Sequence, residues 1–543
     1  MIAFRRPTSR SGWSWTSVVI AALVVIPVGM LATSILTPRT DVWSQQWATR
    51  LPGEIVDTAL LLAGVGVCST VLGTGLAWLV SAYRFPGVRV FGWMLILPLA
   101  MPSYILGFLT LATLGPTGPV QDQWRSWFGA DAWFPDIESI WGATIAFTLV
   151  LYPYTYLLAR AALRDQAGGA YFAARILGAG PTEAARRVVL PLVRPAIAAG
   201  AAVVMMETLT DFATVQYFGV DTVSVGVFRI WRGTYDRDAA AEIATVVLAF
   251  ALVAIAIERI ARGRARYGQS GGAGAGLERR VLSGWRAAAA TAVCGGVVLV
   301  AFAGPVLQLV VWAVREQTGG QGTPLLDAFP EYLANSLQLM AITVAVCLLV
   351  AVVVANAQRF GSRRMTGVAA RAVAIGYAVP GPVVGMGVLL AVVGADEVLE
   401  SFGLDLPGAV ATGSLLVLVY AYVIRFLAPG LGAVESGLGQ VSEEMTASAR
   451  SLGATPMATV RRVHLPLSKA SLLSAAILVG VDALKELPIV LLLRPFGFET
   501  LPVWVYNLAS ESRYEQAALP ALSIIVVALV PVALLSRRLE RPG

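Results

Sequence analysis

Residues 174–192 are ARILGAGPTEAARRVVLPL, and residues 449–467 are ARSLGATPMATVRRVHLPL. Most of the first stretch recurs 275 positions later: Ala174, Arg175, Leu177, Gly178, Ala179, Pro181, Arg186, Arg187, Val188, Leu190, Pro191 and Leu192. Both stretches are basic, contain glycine and proline, and lie between long apolar segments. A polar loop repeated between membrane spans predicts two equivalent docking points for one partner.

The composition indicates a polytopic helical membrane protein. Hydrophobic residues make up 57% and charged residues 13% of the 543 residues, and the mean hydropathy is +0.73. Many apolar runs are long enough to cross a hydrocarbon core of about 30 Å, whereas a β-barrel would show alternating segments of about ten residues. We predict about twelve transmembrane helices, near 16–36, 57–82, 90–113, 139–163, 193–218, 241–260, 287–314, 333–357, 366–394, 408–427, 467–493 and 516–535.

The net charge of +7 is explained by membrane topology. With the N-terminus inside, roughly 30 of the 40 basic residues fall on the cytoplasmic side or at its helix ends, as the positive-inside rule requires. The segment 396–405 carries four acidic residues and no basic one. The excess of basic over acidic residues is therefore no evidence for a nucleic-acid partner.

Residues 261–286 are rich in glycine and arginine and predict a flexible cytoplasmic linker. This linker divides the chain into two six-span repeats, 1–260 and 287–543. Because six is an even number, both repeats have the same orientation and are parallel. Cys68, Cys294 and Cys347 lie inside predicted spans at no ligand spacing, so we expect them to pack as small apolar side chains and assign no metal site.

Two spans are interrupted by proline at corresponding places. Pro102-Ser-Tyr-Ile-Leu-Gly107 lies in the third span, and Pro380-Gly-Pro-Val-Val-Gly385 lies in the ninth. Proline removes a helix hydrogen bond, and such breaks persist where neighbours or a water-filled cavity satisfy the freed carbonyls. Matching breaks in two repeats point to a translocation path; the alternative is an ordinary packing kink.

Acidic residues occupy matching places in the fifth and eleventh spans. Glu207 and Asp211 correspond to Asp482 and Glu486, again 275 positions apart. Members of each pair are four residues apart and share one helix face. Charges at membrane depth cost about 2.5–3.5 kcal/mol and face a bundle interior or a cavity. Converging acids would attract a cation, because hard metal ions prefer oxygen ligands; the alternative is that they pair with Lys485 and backbone groups and fix helix packing.

In the repeated loops, Gly178 and Gly453 are predicted to turn the chain with positive φ, and Pro181 and Pro456 suit the first turn of the next helix. The candidate docking residues are Ala174, Arg175, Gly178, Ala179, Pro181, Ala449, Arg450, Gly453, Ala454 and Pro456. The arginine pairs 186–187 and 461–462 are expected to anchor at lipid headgroups. Weaker candidates near the outer mouth are Gln216, Tyr217, Arg229 and Arg494, and the single histidine, His464, is expected at the membrane interface.

The pattern Ala-Ala-x3-Gly-x9-Val-x-Leu-Pro at 173–191 resembles the cytoplasmic "EAA" loop of ATP-binding-cassette (ABC) importer permeases. The resemblance implies the MetI-like fold of type I importers in a bacterial inner membrane, with both termini cytoplasmic. It also implies two ATPase subunits docked on 172–190 and 447–465, and a periplasmic solute-binding protein. The family's leading Glu is replaced by Phe172 and Ala447, and Ser448 replaces an alanine.

The chain itself is not expected to be an enzyme. It has two lysines, Lys469 and Lys485, and neither lies in a GxxxxGK phosphate-binding frame. The resemblance implies that ATP and Mg²⁺ are bound by the partner ATPase and that this chain binds no cofactor.

The segments 485–501 and 207–212 resemble the fused two-half permeases of ferric-iron importers, so we expect iron(III) as the substrate. Thiamine, polyamine and phosphonate permeases are alternatives. An ion-driven secondary transporter also fits twelve spans, but it gives no reason for the duplicated loop. A membrane enzyme would need a catalytic constellation, and the sequence contains no HExxH or GxSxG motif.

Overall fold

A computed structural model describes residues 9–34, 36, 40–165, 167–262, 279–318, 325–376, 379–403 and 413–540. These residues are almost entirely helical. The first helices are α1 (Ser9–Ser34), α2 (Thr40–Thr49), α3 (Leu51–Ala82), α4 (Val88–Met94), α5 (Ser103–Leu114), α6 (Pro119–Phe128), α7 (Ile140–Asp165), α8 (Ala167–Ile176), α9 (Pro181–Ala184), α10 (Leu190–Thr210), α11 (Ala213–Tyr217), α12 (Val223–Thr234) and α13 (Arg237–Arg262).

The remaining helices follow the predicted linker. They are α14 (Gly284–Val298), α15 (Gly304–Thr318), α16 (Leu325–Phe360), α17 (Arg363–Ile375), α18 (Gly381–Ser401), α19 (Leu415–Gly439), α20 (Glu443–Ser451), α21 (Pro456–Thr459), α22 (Leu465–Leu467), α23 (Lys469–Lys485), α24 (Pro488–Leu493), α25 (Leu501–Ser510) and α26 (Tyr514–Glu540). Two short strands, β1 (Tyr83–Arg84) and β2 (Arg280–Val281), are also present.

The predicted all-α polytopic architecture is confirmed. Within the described residues, nine helices are long and apolar enough to cross a membrane, and two further pairs of helical segments are each bent at a short break. The pairs are Val88–Ala100 with Ser103–Phe128, bent by 90°, and Pro456–Leu467 with Lys469–Lys485, bent by 79°. Counting each pair as one span gives eleven, and the shorter apolar stretch Tyr514–Val530 lies where the twelfth span was predicted.

Contacts divide the chain into two compact units. Unit 1 comprises Met1–Ser44, Val227–Leu248 and Leu326–Val503. Unit 2 comprises Gln45–Gly226, Ala249–Leu325 and Trp504–Gly543. Whereas the predicted repeats 1–260 and 287–543 follow chain order, each unit takes its central helices from one repeat and its outer helices from the other.

Unit 1 is built around α18, α19 and α23 of the second repeat. The N-terminal helix α1 packs against α17 and α18, and α19 packs along α23. Polar contacts hold α1 in place: the N–H of Ser362 donates to the Ser14 hydroxyl at 2.8 Å, and the Tyr420 hydroxyl donates to the Leu23 carbonyl at 2.5 Å.

Unit 2 is built around the bundle of α3, α7 and α10 from the first repeat. The first span of the second repeat, α14–α15, belongs to this unit, and α15 packs along the C-terminal helix α26. Tyr152 and Tyr156 of α7 are fully buried at the centre of the bundle. The first and last helices of one repeat therefore complete the bundle of the other.

The end of the predicted linker is attached to unit 2. Residues 263–278 of the stretch 261–286 lie outside the described residues. After them, β2 pairs in parallel with β1, with Tyr83 opposite Arg280 and Arg84 opposite Val281. The N–H of Leu282 donates to the Arg84 carbonyl at 2.9 Å. This pairing fixes the chain beside the end of α3 immediately before α14 begins.

Candidate functional site: the twin loops and the broken spans

In the first repeated loop, α8 ends and the chain reverses at Gly178, whose φ is +90°. The N–H of Gly178 donates to the Arg175 carbonyl at 3.1 Å, and the N–H of Ala179 donates to the Ala174 carbonyl at 3.0 Å. These bonds satisfy carbonyls that a helix end leaves free, and the left-handed residue they require favours glycine. Pro181 is the first residue of the short helix α9.

The second loop follows the same path. Gly453 has φ +87° and donates its N–H to the Arg450 carbonyl at 3.0 Å, and the N–H of Ala454 donates to the Ala449 carbonyl at 3.1 Å. Pro456 opens α21. The candidate docking residues of the two copies thus occupy equivalent places. We refer to residues 172–190 and 447–465 as the twin loops.

An exposed leucine stands at the tip of each twin loop. Leu177 is 87% exposed and Leu452 is 89% exposed, directly before the two turning glycines. Ile176 adds a second exposed apolar side chain to the first tip, and Met457 adds one beside the second. Large apolar side chains held in water at two equivalent loop tips mark a surface that a partner protein can cover.

The residues that depart from the family pattern lie on the short helices before the turns. Phe172, at the family's glutamate position, contacts the ring of Tyr171 with centroids 6.2 Å apart. In the second loop the first turn of α20 carries Glu443 and Glu444, and the Ser442 side chain accepts from the Met445 N–H at 3.3 Å. The hydrogen bond from Ser442 and the backbone N–H of Glu444 lower the pKa of the Glu444 carboxyl below its usual range.

After the turns, both loops enter the next span through one π-helical turn, Ala185–Val189 in the first copy and Val460–His464 in the second. Beyond this turn the copies differ. α10 continues without a break to Thr210, although it contains Pro195. The second copy bends by 79° at Ser468, which the proline pattern did not predict.

His464 is buried within unit 1, with 1% of its surface exposed. Its Nδ1 lies 2.5 Å from Oδ1 of Asn356, and its Nε2 lies 3.0 Å from the Thr446 hydroxyl. The ring stacks on Phe360 with centroids 5.7 Å apart. The corresponding residue of the first copy is Val189. The expected interfacial histidine therefore joins the second twin loop to the end of α16.

The break in the third span occurs at Pro102, as expected, and carbonyls at the end of the preceding helix α4 are satisfied by a neighbouring helix. Pro102 precedes α5 with extended backbone angles. The Tyr152 hydroxyl donates to the Leu95 carbonyl and the Tyr156 hydroxyl donates to the Gly92 carbonyl, each at 2.9 Å. In a membrane such partners are required, because no water is present to replace the lost helix bonds.

Asp211 ties this break to the end of the fifth span. It terminates α10 and accepts from the backbone N–H of Thr214 at 2.9 Å and from the Thr214 hydroxyl at 2.5 Å. The Ser103 hydroxyl, at the first residue of α5, also donates to the Asp211 carboxylate. Glu207 lies one turn earlier on α10, and its carbonyl accepts from the Asp211 N–H.

Unit 1 contains a related arrangement at the ninth span. Pro380 immediately precedes α18, and Arg425 of α19 donates to the Val379 carbonyl at 2.8 Å. The Arg425 Nε lies 3.3 Å from Oε2 of Glu486, and both side chains are about 95% buried. Glu486 terminates α23 and accepts from the Ile489 N–H at 3.2 Å. Asp211 and Glu486 thus hold equivalent breaks.

Side-chain partners are also present at Asp482, Gln216 and Arg494. Asp482 lies 3.6 Å from Lys485 Nζ, the contact that the packing interpretation expects. Gln216 accepts from the Tyr506 hydroxyl at 2.8 Å, and Arg494 forms an ion pair with Glu499. The part of the chain that the structure describes contains no group of three or more His, Cys, Asp or Glu side chains placed to hold a metal ion.

Comparison with known proteins supports one family. The chain is similar to the Fe(3+)-transport system permease protein FbpB 2 of Haemophilus influenzae, with 24% identity over 90% of each chain. It is 24% identical to the ferric transport system permease protein FbpB of Actinobacillus pleuropneumoniae, over 89% of this chain and 70% of that protein. The molybdenum transport system permease protein ModB of Escherichia coli is 28% identical over 36% of this chain and 87% of its own.

The profile of one protein family matches the chain twice, at residues 69–265 and 348–541. Each match contains one twin loop and one proline-broken span. The duplicated match confirms that two copies of one permease domain are fused in this sequence. The chain belongs to the family of binding-protein-dependent transport system inner membrane components.

Proposed function

We propose that this chain is the complete transmembrane pore of an ATP-driven importer for iron(III). The observation that carries the proposal is the pair of loop tips, in which Leu177 and Leu452 are almost fully exposed beside turns of the same geometry. Two such tips on one polypeptide fit two copies of one partner. A secondary transporter is driven by an ion gradient and needs no ATPase subunits to bind these tips.

In this proposal two ATPase subunits dock on residues 172–190 and 447–465 from the cytoplasm, where both chain termini also lie. ATP and Mg²⁺ bind to those subunits, and this chain carries no cofactor. The first twin loop continues through its π-helical turn into α10, and the second continues through its π-helical turn and the bend at Ser468 into α23. Movement of the docked subunits on ATP binding is thereby transmitted to α10 and α23, whose ends hold the two broken spans.

Iron(III) as the cargo is supported by the extent of the similarities. The ferric permeases match along 81–90% of this chain, whereas the sulfate and molybdenum permeases match along 36–45%. A periplasmic binding protein would deliver the ion, and Glu207, Asp211, Asp482, Glu486, Pro102 and Pro380 would lie along its path. Carboxylate oxygens suit a hard, highly charged cation.

Reconstitution in liposomes tests the class of transporter. The chain is combined with its ATPase and its iron-loaded binding protein, and uptake of radioactive iron is followed. We expect uptake that requires ATP on the side of the membrane where the ATPase subunits are docked. Collapse of proton and sodium gradients should leave the rate of uptake unchanged. Uptake on an ion gradient with no ATPase present would contradict the proposal, and uptake of thiamine, a polyamine or a phosphonate in place of iron would redirect it to another cargo.

The acidic positions are tested separately. Glu207→Gln combined with Asp482→Asn removes two charges with little change of volume, and we expect slower iron uptake with unchanged ATPase binding. Glu397→Gln is the matched control, because Glu397 is an exposed acid paired with Arg237. Unchanged uptake kinetics in the double variant would assign Glu207 and Asp482 to helix packing alone.

A further inference from the structure

A deep apolar cleft opens in unit 2 between α3 and α10, beside the first twin loop. Its volume is about 650 Å³. Val71 and Trp78 of α3 form one wall, and Leu190 and Ile197 of α10 form the other. Val71 and Leu190 are exposed. Because both helices are long and apolar enough to span a membrane, we expect the cleft to open toward the bilayer, where lipid chains are available.

One end of this cleft is cationic. Arg186 of the first twin loop and Arg280 of β2 both line it. Arg280 is held there by the pairing of β2 with Tyr83 at the end of α3. The acid nearest Arg186 in sequence, Glu183, is paired with Arg187 at 2.7 Å. The acid nearest Arg280, Glu278, lies outside the described residues. Among the described residues, no carboxylate lies within ion-pair distance of Arg186 or Arg280.

The surroundings of Arg280 strengthen the positive field. Its neighbour Arg279 is partly buried, and the burial, together with the charges of Arg160, Arg164, Arg84 and Arg89, lowers the pKa of Arg279. Such mutual repulsion is relieved when an anion enters the cluster. The apolar walls and the cationic end therefore call for one molecule with both an apolar body and an anionic head.

We propose that this cleft binds one anionic phospholipid from the leaflet on the side of the twin loops. Its phosphate would lie between Arg186 and Arg280, and an acyl chain would lie along Val71, Trp78 and Ile197. Basic pockets between membrane helices are suited to anionic headgroups. Because Pro181 and Thr182 also line the cleft, the bound lipid would contact the first twin loop.

The second repeat does not carry the same set of residues. Arg461 corresponds to Arg186, but Val353 stands in the place of Trp78, and Arg5, which lies 275 positions before Arg280, is outside the described residues. Arg461 lies in the second twin loop and does not line this cleft. Arg461→Gln is consequently a matched control for Arg186→Gln.

The test uses the full chain in phosphatidylcholine nanodiscs that contain phosphatidylglycerol brominated on its acyl chains. Bromine quenches nearby tryptophans, and the part of the quenching lost in Trp78→Phe reports on the cleft. A second preparation carries the bromine on phosphatidylcholine instead. We expect stronger quenching of Trp78 by the anionic lipid, and equal quenching by both lipids would overturn the proposal.

Charge removal defines the headgroup site. Each basic residue near a membrane surface contributes about fivefold to binding of an anionic lipid, so Arg186→Gln with Arg280→Gln should lower the preference for phosphatidylglycerol by about thirtyfold. Arg461→Gln should leave it unchanged. Retention of the preference for phosphatidylglycerol in the double variant would overturn the proposal. Loss of that preference in the unsubstituted chain on addition of soluble glycerol phosphate would also overturn it, because it would indicate a site for free phosphate.

Filling the cleft gives an independent variant that keeps every charge. A Cβ added at Gly75 meets no atom within 4 Å, so Gly75→Phe places a ring in the cleft without a clash on α3. We expect it to reduce quenching of Trp78 by either lipid. Gly53→Phe, on the same helix and equally unobstructed, is the control. Unreduced quenching in Gly75→Phe would show that no acyl chain enters the cleft.

Discussion

Truncation of both loop tips, Leu177→Ala with Leu452→Ala, should uncouple the pore from its ATPase without unfolding it. Each change removes three carbon atoms. At about 0.8 kcal/mol for each buried carbon, a tip that a partner covers loses about 2 kcal/mol of binding free energy. That loss corresponds to roughly thirtyfold weaker binding at each docking point.

Stability should hardly change, because the two side chains are 87% and 89% exposed before any partner binds. Substitutions at such positions stay within about 0.5 kcal/mol of the original free energy of unfolding. The assay is the dissociation constant of the purified ATPase from the chain held in nanodiscs, measured beside thermal unfolding of the chain alone. Leu416→Ala, at a 70% exposed leucine outside the twin loops, is the control.

Two results would refute this reasoning. An unchanged dissociation constant in the double variant would show that the tips are not covered by the ATPase. A fall in the unfolding temperature of the isolated chain would show that the tips support the fold. Loss of binding with unchanged unfolding is the outcome that a docking surface predicts.

Three further substitutions test the contacts around the loops and breaks. Gly178→Ala should destabilise the first turn by about 1–2 kcal/mol through backbone strain alone, since φ is +90° and no atom lies within 4 Å of the added Cβ. Hydrogen exchange at the turn measures this loss of local stability. Arg425→Met should lower the free energy of unfolding by about 3–5 kcal/mol, because Glu486 stays buried without its partner, and adding Glu486→Leu should recover most of that loss in thermal unfolding. His464→Val should cost about 1–3 kcal/mol by leaving Oδ1 of the buried Asn356 without its partner.

Matched controls keep these tests specific. Gly432→Ala, in a helix with open space around it, should not raise local exchange. Arg237→Met removes an exposed pair with Glu397 and should change stability by less than about 1 kcal/mol. Adding Asn356→Ser to His464→Val reproduces the corresponding residues of the first repeat, Ser81 and Val189, and should restore stability. Equal effects in variant and control would contradict the assigned contact in each case.

The twin loops could be predicted from sequence because their geometry is local. A glycine followed within three residues by proline determines where one helix ends and where the next begins. The same pattern occurs in both copies of the loop, so the same geometry is predicted for each. The breaks at Pro102 and Pro380 follow for the same reason, since proline acts on the helix that contains it.

The partners of the buried polar groups could not be predicted in this way. Arg425 and Glu486 are 61 residues apart, and His464 and Asn356 are 108 residues apart, so only the packed fold brings each pair together. The intramembrane Arg425 was a signal that could have been used, because a buried cation requires a carboxylate. The bend at Ser468 has no proline or glycine at its position and carries no comparable signal.

The exchange of outer helices between repeats has a consequence for biosynthesis. Helix α1 ends at Ser34, but its packing partner α17 begins at Arg363, about 330 residues later. At roughly ten residues per second of translation, the first helix waits about half a minute in the bilayer before its neighbour emerges from the ribosome. During that interval its interior face, including Ser14 and Leu31, lies against lipid or an insertion chaperone. A nascent chain that stops before α17 leaves the interior face of α1 without the helices that cover it in the finished protein.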